Sequence, residues 1–126
     1  MQEAKAKLSS HRQSPRKTRM VVDLVRGKRV AEALSILAFT PKRSAEPVER
    51  LIKSAVSNAK ELSLPVENLV IKEIKVDAGS ILYRRRPRSR GMANPIRKRT
   101  SQISVTLTEG KPKKIKAKSK KLEAKS

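Results

Sequence analysis

The chain is 126 residues long, with 32 Lys and Arg against 11 Asp and Glu, one His, no Cys, a formal net charge of +21 and a pI near 11.2. That length holds one domain with extensions, and the lack of cysteine excludes disulfides and thiolate metal sites; with His11 as the sole histidine, no zinc site is expected. Solubility needs a net charge of only about 2–8, so this excess is the footprint of a polyanionic partner.

No apolar run approaches the roughly 18 residues of a membrane span, and the stretch MQEAKAKLSSHRQSPRK has no apolar signal-peptide core. The expectation is a soluble, intracellular protein. Residues 1–10 alternate weakly (Ala4, Ala6, Leu8) and predict an edge strand. Ser14-Pro15 reads as an N-cap followed by proline at the first helical position, and Gly27 as the residue that ends the segment. Helix one is therefore predicted from Pro15 to about Arg26, with Met20, Val21, Leu24 and Val25 inward. Arg12, Arg16, Lys17 and Arg19 crowd its start, where each opposes the helix macrodipole by a few tenths to about 1 kcal/mol. A phosphate held by the helix N–H groups and these cations together removes that opposition.

Arg26-Gly27-Lys28-Arg29 turns the chain into helix two, Val30 to Phe39, whose apolar face is Val30, Ala33, Leu34, Leu37 and Ala38. Two short helices joined through Gly resemble a helix-turn-helix. The second, however, offers only Lys28, Arg29, Glu32 and Ser35 to base edges and lacks the side chains that read a major groove. Thr40-Pro41 predicts the opening of helix three, with Pro47 restarting it or lying in its first turns. Val48, Leu51, Ile52, Ala55, Val56, Ala59 and Leu62 make it the central core helix.

Leu69 to Tyr83 and Ile96 to Leu107 have strand character. Along the first, the inward face changes phase between Leu69 with Ile71 and Ile74 with Val76 and Ala78, which predicts a bulge near Lys72-Glu73. Along the second, Ile103, Val105 and Leu107 alternate with polar residues. Between Asp77 and Glu109 there is no acidic residue, and eight cations crowd the middle: Arg84, Arg85, Arg86, Arg88, Arg90, Arg97, Lys98 and Arg99. Pro87, Gly91 and Pro95 bend the backbone there. The prediction is a long β-hairpin over about 76–108 with a cationic tip. From Val76 to the bend is about 15 residues, on the order of 50 Å at roughly 3.3 Å each, against a radius of gyration of roughly 13 Å for a domain of about 100 residues. Such an arm projects.

A two-stranded ribbon is marginal alone in water, and neighbouring like charges repel, so a polyanion must hold it. Arginine forks with few carboxylates nearby match phosphate oxygens. Phe39 and Tyr83 are the only aromatics, which points away from a general single-strand stacking protein and toward folded nucleic acid bound through backbone and shape. Residues 1–109 read as one α/β domain including the arm, and 110–126 as a Lys-rich flexible tail that adds phosphate contacts.

Ser14-Pro15 with the run VVDLVRGKRVAEAL, then LIKSAVSNAKEL, then RRPRSRG followed by IRKRTSQISVTL, together resemble the bacterial-type large-subunit ribosomal protein L twenty-two family over roughly Lys5 to Leu107. The resemblance implies an α+β fold, a three-helix body on a three-stranded antiparallel sheet with a long protruding β-hairpin. It implies a structural constituent of the large ribosomal subunit that binds 23S-type rRNA, assists subunit assembly and lines the nascent-peptide exit tunnel with its hairpin. Implied partners are that rRNA, neighbouring large-subunit proteins and the nascent peptide, with no membrane and no homo-oligomer, in a cytoplasmic or organellar ribosome.

Candidate rRNA-binding residues are Arg12, Arg16, Lys17, Arg19, Arg26, Lys28, Arg29, Arg84, Arg85, Arg86, Arg88, Arg90, Arg97, Lys98 and Arg99. The tunnel-facing tip is assigned to Arg86, Pro87, Arg88, Ser89, Arg90, Gly91 and Met92. Tyr83 with Arg84, Arg85 and Arg86 makes the approach to the tip bulkier and more cationic than the family pattern. No catalytic residue, metal ligand or cofactor is expected: there is no Gly-rich phosphate loop, and Glu73 and Asp77 are bordered by Lys72 and Lys75 rather than converging. The alternative reading is an architectural DNA-bending protein whose basic β-arms carry Pro87 as a wedge, which requires a symmetric dimer.

Overall fold

A computed structural model describes residues 2–110. The elements run β1 (Glu3–His11), α1 (Pro15–Val25), α2 (Val30–Phe39), α3 (Ala45–Glu61), a 3₁₀ turn at Val66–Asn68, β2 (Leu69–Ala78), β3 (Leu82–Pro87), a 3₁₀ turn at Ser89–Gly91, β4 (Ala93–Lys98) and β5 (Ser101–Glu109). Three helices thus pack on an antiparallel sheet of order β1-β5-β2, and β3 with β4 forms a separate two-stranded ribbon. The Lys-rich tail expected beyond Gly110 lies outside the described residues.

β1 is the expected edge strand, pairing from Glu3↔Thr108 to Leu8↔Ile103. The phase change in β2 is a bulge: the register jumps between Ile71 and Glu73, leaving Lys72 as the extra residue. Leu69, Ile71, Ile74 and Val76 can therefore all turn inward, beside Ile103, Val105 and Leu107 of β5 on the same face of the sheet. Helix α3 presses against β1 and β5 through Ala55 and Ala59, small enough for close approach, with Val48 and Ile52 completing that face. Asn58 also donates to the Lys5 carbonyl at 2.8 Å.

Several inward assignments shift. In α1 the buried stripe is Thr18, Val21, Val22 and Val25, while Met20 and Leu24 are 60% and 45% exposed. Hydrophobicity alone pulled the expected face toward Met20, but Thr18 is the residue the packing needs, since its hydroxyl bonds the Ser14 carbonyl at 3.0 Å. Ala38 and Leu62 likewise lie on the surface. Helix α3 opens at Ala45, not at Thr40-Pro41. Thr40 instead closes α2, its hydroxyl donating back to the Ile36 carbonyl at 2.7 Å. Pro47 falls in the first turn of α3, where a missing N–H leaves no hydrogen bond unmade.

The two long strands expected for the arm are each interrupted. Ala78↔Ser101 is the last pair of the body sheet and Leu82↔Lys98 the first of the ribbon. Three residues on one side (Gly79, Ser80, Ile81) thus face two on the other (Arg99, Thr100). Unequal lengths bend a ladder and increase its twist. The joint is tight: the Gly79 N–H donates to the Thr100 carbonyl at 2.9 Å, and the Thr100 hydroxyl donates to the Ser80 carbonyl. A Cβ on residue 79 would lie 2.5 Å from the Thr100 hydroxyl oxygen, so the close approach requires glycine.

Candidate nucleic-acid interface

Beyond the joint the ribbon has no core. Every residue from Tyr83 to Arg99 is exposed. Its register pairs Leu82↔Lys98, Tyr83↔Arg97, Arg84↔Ile96, Arg85↔Pro95, Arg86↔Asn94 and Pro87↔Ala93. Because directly opposed residues share a face and neighbours alternate, Arg85 and Arg97 lie on one side and Arg84, Arg86 and Lys98 on the other. The ribbon is cationic on both faces.

At the tip the Arg88 N–H donates to the Met92 carbonyl at 2.7 Å, and the Met92 N–H reaches the Ser89 carbonyl at 3.4 Å. Arg90 and Gly91 take the left-handed conformation, φ 61° and 69°. Glycine adopts it freely, whereas arginine does so at a cost of about 1 kcal/mol. The turn thus carries the Arg88 and Arg90 side chains out at the end of the arm.

Carboxylates are withheld from this surface. Among the described residues the ion pairs are Arg26–Asp23 at 3.4 Å, Arg50–Glu46 at 2.5 Å, Lys53–Glu49 at 3.1 Å, Lys75–Glu73 at 3.0 Å and Lys72–Glu3. All are on the body, and none of the eight hairpin cations takes part. Glu73 and Asp77 do not converge: Glu73 pairs with Lys75, whose pKa is raised by the hydrogen bond and charge of that carboxylate. The Lys72 hydrogen bond holds the Glu3 carboxyl below the usual carboxylate range.

A second cationic region lies at the corner of the body beside the arm's root. Arg12, Arg16 and Lys17 are exposed there. Packing brings in two cations that sequence reasoning passed over, Lys42 and Arg43, from the turn between α2 and α3. The link is a polar cluster: Ser44 bonds Gln13, lies 3.2 Å from His11 Nε2 and 3.4 Å from the Thr18 hydroxyl. Arg43 is close enough to His11 to reinforce the lowering of its pKa that burial begins, against an opposing hydrogen bond that the imidazole donates to Gln13. The starts of α1 and α3 therefore meet at this corner, and both helix ends favour an anion. The sequence signal was the basic pair between Pro41 and Ser44, hidden by reading Pro41 as already helical.

The remaining candidates divide. Arg19 donates through Nε and Nη2 to the Val76 carbonyl at 3.3 and 3.0 Å. Since β2 is an edge strand, this contact covers an unpaired carbonyl at the arm's root, and Arg19 is a brace as well as a charge. Arg26 is paired with Asp23. Lys28 receives the Ile71 N–H on its carbonyl at 3.0 Å, and Arg29 bridges to Val70, so the α1–α2 turn is tied to β2. Among the described residues no group of His, Cys, Asp or Glu could hold a metal ion, and no helix is long and apolar enough to cross a membrane.

Comparison with known proteins agrees with this arrangement. Residues 6–108 match the family described as ribosomal protein L22p/L17e. The large ribosomal subunit protein uL22 of Desulfitobacterium hafniense is 52% identical over 112 residues, covering 88% of this chain and 98% of the relative. The uL22 of Pelobacter propionicus is 54% identical over 110 residues, 86% of this chain and 99% of its own. That of Lactobacillus gasseri is 50% identical over 107 residues, covering 84% and 92%. The matched span takes in the body, the joint and the whole cationic arm, and the chain belongs to the ribosomal protein L22p/L17e family.

Proposed function

We propose that this chain is a structural constituent of the large ribosomal subunit, where it binds 23S-type rRNA and assists assembly. It is not an enzyme, and its place is the ribosome of the cytoplasm, among neighbouring large-subunit proteins. The observation that carries the reading is the ribbon with cations on both faces, no core and no acidic partner among the described residues. An arm that repels itself and buries nothing keeps its shape only between converging phosphates, where its guanidinium groups form charge-assisted hydrogen bonds. The corner with Arg12, Arg16, Lys17, Lys42 and Arg43 supplies a second phosphate-binding surface on the body. The tip, Arg86 to Met92, forms part of the peptide exit tunnel wall and meets the nascent peptide.

The test is binding to large-subunit rRNA over a range of salt, and co-sedimentation with large ribosomal particles. Removing residues 79–100 and joining Ala78 to Ser101 by a short turn keeps β2 and β5 and takes away the ribbon. If each of the eight hairpin cations meets one phosphate, the log–log salt slope should lose about 6 to 7 units. An unchanged slope, or loss of the intact chain from the particles in moderate salt, would refute the reading. The tunnel assignment is tested by cross-linking from position 92 to a stalled nascent chain; no cross-link at any chain length would refute it.

A further inference from the structure

Phosphate binding leaves the one aromatic residue of the arm without a role. Tyr83 is 61% exposed on β3, on a ribbon with no core to receive it. A ring face is electron-rich and does not attract phosphate, and holding it in water on an arm that buries nothing gains no stability. A flat, apolar surface of matching size is what such a ring lacks. Its surroundings narrow the choice. Arg97 is directly opposite and Arg85 lies two residues along the same strand, so both share its face, and Pro95 is diagonal to it. Two cations flanking one aromatic ring, with no carboxylate among the described residues in salt-bridge reach of either, is the arrangement that grips a nucleic-acid backbone on both sides of a base and offers that base a platform.

We propose that Tyr83 stacks against one unpaired base of the RNA bound by the arm, with Arg85 and Arg97 holding the backbone on either side of that nucleotide. This rests on the RNA-binding role proposed above and adds a base contact to an interface otherwise made with phosphates. A protein partner at the same spot would have to bring carboxylates to both arginines and an apolar side chain between them.

Tyr83 is the only tyrosine and there is no tryptophan, so the emission of the full chain reports on this position alone. Titrating the full chain with large-subunit rRNA should quench that emission. Base-stacking losses predict that Tyr83→Ala and Tyr83→Leu each weaken binding by about 5- to 140-fold with the salt slope unchanged, while Tyr83→Phe binds like the parent. One rRNA nucleotide should become more reactive to base-directed probes in complexes with the Ala and Leu variants, and stay protected with Phe. Binding with the full salt slope but no quenching, or a Leu variant that binds like the parent and protects every base, overturns the stacking proposal and leaves RNA binding standing. Quenching only after neighbouring large-subunit proteins are added assigns Tyr83 to a protein and likewise overturns it. Absence of salt-dependent binding overturns both readings together.

Discussion

The ribbon's register makes its two faces separately testable. Arg85→Gln with Arg97→Gln removes the charge of one face within β3 and β4; Arg84→Gln, Arg86→Gln and Lys98→Gln removes that of the other. Each phosphate contact contributes about 0.7 to 0.9 to the log–log slope of affinity against salt. The first variant should therefore lower the slope by about 1.4 to 1.8, the second by about 2.1 to 2.7, and the combination by about 3.5 to 4.5. Glutamine keeps polarity and reach, and all five positions are exposed, so the helical body should unfold as before; circular dichroism during urea unfolding checks this. Affinity for large-subunit rRNA is measured between about 50 and 200 mM salt. If either set leaves the slope where it was, the arm does not lie between two layers of phosphate, and the reading of a two-sided ribbon is wrong.

Three further outcomes follow from contacts on the body. Gly79→Ala should destabilise the joint by about 1–3 kcal/mol through overpacking on the Thr100 hydroxyl. Adding Thr100→Ala should return part of that loss, and strictly additive effects in a double-mutant cycle by urea unfolding would rule out the clash. Arg19→Met should lower stability by about 1 kcal/mol, discounted for the exposure of the side chain, and speed amide exchange around Val76; unchanged exchange there would remove its role as a brace. His11 has its pKa lowered from 6.5 by burial and then by Arg43, so the unfolded chain binds its proton more readily. That contribution is fully present above pH 6.5 and lost as pH falls toward the depressed folded value. The urea midpoint should drop with acidification just below pH 6.5, and His11→Gln should flatten this segment; an identical slope in the variant would show that another group is responsible.

Much of this architecture was legible because it rests on local patterns. The alternation of Ile103, Val105 and Leu107 and the shift of phase across Lys72-Glu73 led directly to β5 and to the bulge in β2. The cationic arm was visible from its lack of carboxylates. What periodicity could not show was set by residues far apart in the chain. Thr18 displaced Met20 from the inner face because of partners on Ser14 and Ser44. Gly79 and Thr100, twenty-one positions apart, together break what reads as one continuous hairpin. Lys42 and Arg43 joined the cationic corner only once His11 and Ser44 had been brought together.

The order of β1-β5-β2 also bears on how the molecule is made. Among the described strands the central one is the last to leave the ribosome that synthesises it, and Glu3 must wait for Thr108 before it can pair. Until then neither flanking strand has its neighbour, and closing so large a loop is slow. During that interval the nascent chain carries its concentrated positive charge on an unclosed sheet. Its first polyanionic contacts can therefore precede its own folding, and a wrong early partner would have to be released before the sheet could close.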